Sequence, residues 1–508
     1  MEDIILEVGN VYTKVRNSNY QIDNIIDKVT SYTDPNYKYK IKYMLENTNN
    51  YNKIKHLKKK INNYEIEGKI HLYNRKTKQF PTGLLSTVKM ILKLEGYKYS
   101  IIELYKYSEE EVDISFSSHL KLYSHQEKAF NSLKKHNFRG IIDGATGMGK
   151  TVLGIYILSY LKTPTVIIVP TTVIQKQWIE KIKELIDIED KTKKFGSGIM
   201  FYDKNGKESI FVTTISLINS IMSNKAKSDK ILKRNIFLRR FFYKKVGLII
   251  FDEVHLAGSK SGIVSLSSIP SYYRIGLTGT FGKRDDEKDF EYTALIGNRV
   301  CTISIDELIE NKKAVPLNIY FYETSMPYIH YNCNYEEVYL DAIVNNIDRN
   351  EEILHQTDRL LEEGRKVLIL VDRIVHAQLL SKMSGITYTT GDDKLKDEKI
   401  EEFKNSKEPT VLICTTKLVG IGFDMPPLSA LVLACGGKAS IKIIQALGRT
   451  IRISNNKKNA VIIDFADDVK YLREHSIKRT QIYLNNSSYK VNLGKTFLKT
   501  YFSRILNY

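Results

Sequence analysis

The sequence of 508 residues predicts an α/β protein with two parallel sheets in tandem and a small α+β domain before them. Short, apolar, β-branched runs are each followed by a turn and a helix-like stretch, first in residues 116–310 and again in residues 311–470. Near-continuous apolar strands that alternate with helices are typical of parallel sheets covered on both faces. Residues 1–115 are instead rich in Lys, Tyr and Asn, and residues 471–508 read as a basic tail.

The predicted strands of the first sheet read GIIDGA, TVIIVP, SIFVTT and VGLIIFDE, and those of the second read KVLILVD, PTVLICTT and LSALVLAC. Ligands of such sheets bind beyond the carboxyl ends of the strands. The polar motifs of this chain directly follow these runs, so we expect the functional site at that edge.

The amino-acid composition favours a polyanionic binding partner but does not establish one. The net charge is +19, which attracts nucleic acid, but a bias toward Lys, Asn, Ile and Tyr is also what an AT-rich genome produces. No stretch approaches the ~18 apolar residues that cross a bilayer, and the N-terminus MEDIILEVGN is acidic where a secretion signal is basic. The four cysteines form no CxxC pair. We therefore expect a cytoplasmic protein, in the host cytoplasm if its source is viral.

A phosphate-binding loop is the clearest motif. Residues 144–151 read GATGMGKT, between the strand GIID and the helix TVLGIYILSYL, which is the context that a G-x-x-x-x-G-K-T loop requires. Backbone N–H groups and the helix N-terminus would wrap the phosphates, with Lys150 on the β- and γ-phosphates and the Thr151 hydroxyl on Mg²⁺. The predicted nucleotide-binding residues of this loop are Gly144, Ala145, Thr146, Gly147, Met148, Gly149, Lys150 and Thr151.

A carboxylate pair follows the strand LIIF in the sequence DEVH. Asp252 at a strand end would hold Mg²⁺, directly or through water, and Glu253 can polarise the attacking water. The alternative, a solvated turn, is weakened by the phosphate loop upstream. The chain therefore contains the parts of an ATP- and Mg²⁺-dependent hydrolase.

A third motif, QALGRTIR, places Gln445, Arg449 and Arg452 at spacings of four and three, on one helix face. Guanidinium groups stabilise the charge that develops during phosphoryl transfer. Because these arginines belong to the second predicted lobe, they complete the site only when the lobes close on ATP. In isolation such a helix is commonly just surface.

The ordered set GATGMGKT, VPTT, DEVH, LTGT, TTKLVGIGFDMP and QALGRTIR resembles superfamily 2 helicases over roughly residues 120–465. The resemblance implies two RecA-like lobes, ATP and Mg²⁺. It implies that Gln126 reads adenine, that His255 joins a coupling network with Thr278, Gly279 and Thr280, and that Gly420, Gly422 and Asp424 contact strand and nucleotide. The nucleic-acid contacts that it implies are Pro170, Thr171, Thr172, Thr213, Thr214 and Thr415. Without the set, threonine-rich turns are ordinary helix caps.

The motif variants favour DNA. DEVH and LTGT depart from the DEAD and SAT of DEAD-box RNA helicases, and LTGT and QALGRTIR resemble the branch with XPB, type III restriction motors and UvsW-type phage recombination helicases. Residues 71–101 resemble the small N-terminal domain of the UvsW type, with a strand, a turn at Pro81–Leu84 and a helix ending at Gly96. The resemblance implies 3′-to-5′ movement.

Three stretches are strongly basic. Residues 36–100 hold 15 Lys/Arg against 4 Asp/Glu with interleaved tyrosines, which suits junction binding or, alternatively, a solvated face over a small core. Residues 225–245 hold nine Lys/Arg and one acid, predicting a surface helix without a catalytic role. Residues 469–508 hold eight Lys/Arg and one acid, predicting a strand-embracing tail or a terminal helix.

These observations predict an ATP-dependent DNA helicase that remodels forks, displacement loops and four-way junctions. We expect a monomer that binds branched DNA and works beside single-strand-binding or recombination proteins. Three alternatives stay open: an RNA or transcript-release helicase, a duplex-translocating motor subunit of a restriction or defence complex, and a non-catalytic binding relic. The complete set of Lys150, Asp252, Glu253, Arg449 and Arg452 argues against the last of these.

Overall fold

The computed structural model describes residues 3–34, 37–48, 50–63, 68–117, 121–188, 191–223, 228–279, 281, 289–419, 428–437 and 459–506. The chain divides into two compact units. The first unit comprises residues 1–144 and 149–302, and the second comprises residues 145–148 and 303–508. Each unit contains one large α/β sheet, which confirms the predicted fold class.

The N-terminal part of the first unit is a small α+β domain. Its strands are β1 (Ile4–Val8), β2 (Tyr12–Arg16), β3 (Ser31–Thr33), β4 (Lys69–His71), β5 (Gln79–Pro81) and β6 (Tyr99–Glu103). Four of them form a sheet in the order β5-β2-β1-β6, in which β1 and β6 pair in parallel and the other pairs are antiparallel, while β3 and β4 form a separate antiparallel pair. Its helices are Tyr20–Val29, Tyr37–Glu46, Tyr51–Asn62 and Leu85–Leu94, with a 3₁₀ turn at Thr82–Leu84.

This small domain shares its core with the rest of the first unit. Ala294 is buried in the same cluster as the apolar residues of β1, β2 and the helix Leu85–Leu94, and Phe290 packs against that cluster. A Cβ on Gly83 would lie 2.4 Å from the carbonyl oxygen of Thr293, so only glycine permits this approach. The Asn10 side chain also donates to the carbonyls of Lys106 and Pro270 at 2.7 Å each.

The rest of the first unit is built around a large sheet. Its strands and those of a short pair beside it are β7 (Ser115–Phe116), β8 (Arg139–Gly144), β9 (Thr165–Val169), β10 (Ile186–Asp187), β11 (Thr192–Phe195), β12 (Gly198–Tyr202), β13 (Glu208–Thr214), β14 (Leu248–Asp252), β15 (Tyr273–Thr278) and β16 (Arg299–Ile303). The large sheet has the order β11-β12-β13-β9-β14-β15-β8-β16, and β7 pairs separately with β10. The central strands β13, β9, β14, β15 and β8 are parallel, and β11 and β12 extend the sheet as an antiparallel hairpin.

The described helices around this sheet are Ser124–Lys135, Lys150–Leu161, Thr172–Leu185, Ile215–Met222, Asp229–Lys244, Lys260–Ser267 and Asp289–Ile296. The parallel register brings three polar strand ends to one edge: Asp252 is opposite Leu277, and Thr278 is opposite Asp143. The helix Asp229–Lys244 is the helix predicted in the basic stretch before DEVH.

The second unit contains a seven-stranded sheet. Its strands are β17 (Leu317–Tyr322), β18 (Val367–Val371), β19 (Tyr388–Thr389), β20 (Val411–Thr415), β21 (Ala430–Leu433), β22 (Ala460–Phe465) and β23 (Tyr489–Asn492). They lie in the order β19-β20-β18-β21-β22-β17-β23, and all six pairings are parallel. The described helices are Ile305–Glu310, Tyr335–Tyr339, Ile347–Glu362, Ile374–Ser384, Lys396–Asn405, Thr416–Val419, Leu472–Leu484 and Phe497–Leu506, with a π turn at Leu340–Val344.

Residues 471–508, predicted as a basic tail, fold onto this sheet in their described part. β23 pairs with β17, and the guanidinium of Arg479 is fully buried against the carboxylate of Asp464, with an Nε–Oδ2 distance of 3.1 Å. At least one basic residue of this segment, Arg479, therefore lies in the core of the second unit and pairs with a buried carboxylate. Among the described residues, no helix combines the length and apolar character needed to cross a membrane.

Candidate nucleotide site

The predicted phosphate loop connects β8 to the helix Lys150–Leu161, as the motif requires. Gly147 and Gly149 have φ angles of 97° and 81°, in the left-handed region that glycine adopts without a steric penalty. Gly149 is the N-cap of the helix, and no described side chain caps it. The first N–H groups of the helix therefore remain available to an anion at its positive end.

Lys150 folds back over the loop. Its Nζ donates to the carbonyl oxygen of Gly144 at 2.9 Å, so the ammonium group stays at the mouth of the loop instead of extending into solvent. An ammonium has three protons and this bond uses one of them. The group can therefore approach phosphate oxygens with little movement.

Gln126, the predicted adenine-reading residue, is buried against the same loop. Its Oε1 accepts from the Tyr123 N–H at 2.9 Å, and its Nε2 donates to the Gly149 carbonyl at 3.4 Å. A Cβ on Gly149 would lie only 2.4 Å from that Nε2. Glycine at position 149 thus allows both the left-handed turn and the close packing of the glutamine amide.

Asp252 ends β14 and is almost completely buried, at 6% exposure. Its Oδ1 accepts from the Glu253 N–H at 3.0 Å, and its Oδ2 accepts from the Trp178 indole Nε1 at 2.8 Å. Burial, with the neighbouring charge of Glu253, raises the pKa of Asp252 to about 6, although Lys150 and both hydrogen bonds oppose the shift. The carboxylates of Asp252 and Glu253, and the Thr151 hydroxyl at the start of the phosphate-loop helix, are oxygen donors of the kind that Mg²⁺ prefers, so these residue types fit this cation.

Glu253 has a left-handed backbone, with φ of 51° and ψ of 52°, before the 3₁₀ turn Val254–Gly258. A non-glycine residue in this region costs on the order of 1 kcal/mol or more, and such strain clusters at functional sites. The turn places the Glu253 Oε2 3.2 Å from the Nδ1 of His255.

His255 links the carboxylate to the next strand. It is fully buried, and its Nδ1 also lies 3.0 Å from the Oγ1 of Thr278, the last residue of β15. One ring nitrogen of His255 therefore contacts both the Glu253 carboxylate and the Thr278 hydroxyl, in a chain of polar contacts that joins the end of β14 to the end of β15. We expect this chain of contacts to carry a change at the carboxylate to Thr278.

Thr278→Val tests this chain, because valine keeps the shape and removes the hydroxyl. We expect ATP hydrolysis without nucleic acid to persist within about threefold, while its stimulation by nucleic acid falls about fivefold, since one buried hydrogen bond contributes ~1 kcal/mol. Steady-state ATPase with and without DNA measures both. Thr357→Val, which removes a buried hydroxyl in the second unit, is the matched control. Equal stimulation in the wild type and Thr278→Val would contradict the coupling role.

The predicted nucleic-acid contacts are unequally accessible. Thr172 is exposed at the start of the helix Thr172–Leu185, where Thr171 is the N-cap and accepts from the Ile174 N–H at 3.3 Å. Thr213 and Thr214 are buried, and Thr214 caps the helix Ile215–Met222. Thr415 is buried at the end of β20.

Several predicted site residues lie outside the described residues: Thr280, Gly420, Gly422, Asp424, Gln445, Arg449 and Arg452. The backbone just before residues 438–458 is held by buried groups of the second unit. Arg349 donates to the Ala434 carbonyl at 2.8 Å, and Arg479 donates to the Gly437 carbonyl at 3.1 Å. These guanidinium groups are themselves paired with Asp467 and Asp464.

The sequence interpretation missed Trp178, the one tryptophan of the chain. It lies on the helix Thr172–Leu185, and its indole reaches Asp252. Two signals could have pointed to it: its uniqueness, and the glycine at position 154 inside an apolar helix, where alanine is favoured by about 1 kcal/mol. A Cβ on Gly154 would lie 2.6 Å from the indole Cη2.

Two known protein families match this chain. The family described as "Type III restriction enzyme, res subunit" matches residues 119–283, and the family described as "Helicase conserved C-terminal domain" matches residues 348–454. The first match contains the phosphate loop and the DEVH segment. The chain is therefore a superfamily 2 helicase, and this class consists of ATP-driven nucleic-acid motors. Such helicase domains use ATP, usually with Mg²⁺.

Within this class the chain resembles the ATP-dependent DNA helicase UvsW of Enterobacteria phage T4, with 22% identity over 471 residues, 82% of this chain and 88% of that protein. A protein of the Sulfolobus islandicus filamentous virus, whose name describes it as a helicase, is 28% identical over 372 residues. That match covers 68% of this chain and 64% of the relative, so this chain spans just under two thirds of its length. The DNA 3′-5′ translocase XPB2 of Sulfurisphaera tokodaii is 29% identical over 42% of this chain and 45% of that protein.

Proposed function

We propose that the chain is an ATP-dependent DNA helicase that moves 3′ to 5′ and remodels branched DNA. The observation that carries the proposal is the attachment of a basic N-terminal domain to the unit that contains Lys150, Asp252 and Glu253. The similarity of the chain to UvsW supports DNA as the substrate. The alignment with UvsW spans 471 residues and therefore includes parts of the chain outside the two segments that the helicase families match. The name of XPB2 supports the polarity.

The first unit supplies most of the groups for hydrolysis in this proposal. The loop N–H groups and Lys150 bind the phosphates, and Thr151 with Asp252 holds Mg²⁺, which supplies charge neutralisation when bound. Glu253 accepts a proton from the attacking water, in an orientation set by His255 at 3.2 Å. Arg449 and Arg452 of the second unit are proposed to stabilise the developing charge on the transferred phosphate.

The N-terminal domain is proposed to hold the junction. The helix Tyr51–Asn62 carries Lys53, Lys55, Lys58 and Lys59 as exposed side chains, without an acidic residue in its span. Exposed amines attract DNA phosphates and release counterions on binding. Because Gly83 and Asn10 connect this domain to the rest of the first unit, we expect DNA bound on the lysines to keep its position relative to Asp252 and Glu253.

The energetics of strand exchange suit such a design. Opening ten base pairs costs about 14 kcal/mol at ~1.4 kcal/mol per step. Branch migration forms one pair for each pair that opens, so its balance is close to zero. A motor that holds a junction therefore needs ATP mainly to make the branch point move in one direction. It does not need to supply the full free energy of opening the base pairs.

The deciding experiment compares ATPase stimulation by single-stranded, duplex, forked and four-way DNA and by RNA at one stated salt concentration. We expect forked and four-way DNA to be the best stimulators. RNA as the best stimulator would reject the DNA assignment. ATP consumption without strand displacement on any forked DNA would instead favour a duplex-translocating motor.

The junction role predicts a specific salt effect. Replacing Lys55, Lys58 and Lys59 by Glu should weaken four-way-junction binding and lower its log–log salt slope by about 0.9 for each DNA phosphate that the protein no longer neutralises. Fluorescence anisotropy over a salt series measures the slope, and basal ATPase should stay unchanged. The matched control changes Lys382, Lys394 and Lys407 to Glu, three exposed lysines of the second unit. Equal slope changes in both triple variants would contradict a dedicated N-terminal junction site.

A further inference from the structure

Trp178 touches the nucleotide site without belonging to any of its motifs. Its side chain is fully buried, and its Nε1 donates to the Asp252 Oδ2 at 2.8 Å. A tryptophan indole has a single N–H, and this bond uses it. The donor is thus committed to the carboxylate predicted to hold the cation.

The chain makes room for this indole at a second place. Gly154 lies on the helix that begins at Lys150, and a Cβ there would approach the indole Cη2 to 2.6 Å and the Ile250 Cδ1 to 3.6 Å. The ring therefore sits between the phosphate-loop helix and β14. The ring is thus packed between the helix that begins at Lys150 and the strand that ends at Asp252. We therefore expect a shift of the ring to displace one of these two elements.

The hydrogen bond fixes the carboxylate from one side. The Asp252 Oδ1 is held by the Glu253 N–H at 3.0 Å, and the Oδ2 is held by Trp178. With both oxygens held, the carboxylate has a defined orientation, while each oxygen keeps a further lone pair. Preorganised ligands avoid the cost of reorientation when the cation binds.

We propose that Trp178 is a positioning residue that orients Asp252 for the Mg²⁺ of the bound nucleotide. This inference rests on the proposed function, since it takes the Mg²⁺ role of Asp252 from it. Trp178 follows Thr171 by seven residues on one helix, which is about 10 Å along its axis. The same helix therefore carries the predicted nucleic-acid residues Thr171 and Thr172 at its start and the indole that holds the carboxylate.

Nucleotide binding tests the inference without relying on turnover. Trp178→Phe keeps an aromatic ring and removes the donor. We expect the affinity for a fluorescent ADP analogue to fall about tenfold in Mg²⁺ and to stay within twofold in EDTA, because only the cation-dependent part uses the oriented carboxylate. Gly154→Ala, which displaces the ring, should shift affinity in the same direction.

Two further measurements separate positioning from packing. Phe242→Leu removes a buried aromatic ring of the same unit and is the matched control; it should lower the melting temperature without changing the Mg²⁺/EDTA affinity ratio. Because the chain has a single tryptophan, replacing it by 3-benzothienylalanine exchanges only the indole N–H for sulfur and leaves the fused ring nearly the same shape. This variant replaces Trp178→Phe if the phenylalanine form does not fold.

The outcomes are distinct. An unchanged Mg²⁺/EDTA ratio in Trp178→Phe or the benzothienyl protein overturns the positioning role, as does equal weakening in Mg²⁺ and EDTA. If the affinity of the wild-type protein for the ADP analogue is the same in Mg²⁺ and in EDTA, the proposed Mg²⁺ site itself is wrong. The unique indole gives an independent readout: its fluorescence should change on titration with Mg²⁺ and ADP, and less so in Asp252→Asn.

Discussion

Lys150→Ala is expected to reduce ATP hydrolysis by about 10²–10³-fold, because it removes the side-chain cation that we propose binds the phosphates. We expect this substitution to leave the rest of the fold unchanged. Within the described part of the chain, the Lys150 ammonium donates to the Gly144 carbonyl, and the helix that it begins is otherwise held by apolar packing of its buried residues. Phosphate release in the presence of saturating DNA measures the loss, and the melting temperature should change by only a few degrees.

The matched control is Lys135→Ala, which removes an exposed lysine from a helix of the same unit and changes the net charge equally. Its ATPase should equal that of the wild type. Hydrolysis by Lys150→Ala at more than a tenth of the wild-type rate would contradict the assignment of the phosphate loop. Loss of activity in both variants would indicate a general charge effect.

Glu253→Gln is expected to stop turnover while nucleotide binding persists. A general base contributes about 10²–10⁴-fold to a rate, and the amide cannot accept the proton. The amide oxygen can still accept from His255, whose Nδ1 lies 3.2 Å from the present carboxylate, so the left-handed turn should be kept. Single-turnover hydrolysis and equilibrium binding of the same nucleotide separate the two effects.

Glu180→Gln, an exposed position on the helix Thr172–Leu185, removes the same charge away from the site and should be silent. If Glu253→Gln loses binding and turnover in parallel, then Glu253 acts in nucleotide binding or structure instead of catalysis. A rate near that of the wild type would move the base assignment to another residue.

The sequence was most informative where local chemistry determines structure. The run LIIFD is buried along its whole length in β14, so its uninterrupted apolar pattern is what a parallel strand covered on both faces must have. The phosphate loop was recognisable because Gly147 and Gly149 adopt backbone angles that favour glycine. In both cases neighbouring residues carry the whole signal.

Contacts between distant segments were not predictable in this way. Trp178 and Asp252 are 74 positions apart, and no local pattern predicts their hydrogen bond. β23 reads YKVN, which is too short and polar to predict a strand, and it forms because β17 offers its edge for pairing. Thr214 could be interpreted as a nucleic-acid contact or a helix cap, and its cap bond is visible only in the folded chain.

The helix Asp289–Ile296 has a consequence for engineering and for evolutionary exchange. Its residue Ala294 belongs to the apolar cluster of the N-terminal domain, Glu291 accepts from the Tyr32 hydroxyl at 2.5 Å, and the Thr293 carbonyl faces Gly83. The N-terminal domain therefore depends on this helix to complete its apolar core. A chimera that imports this region from another motor would need to bring its own version of the helix from far downstream in the chain, or a donor segment with a glycine at the point of closest approach.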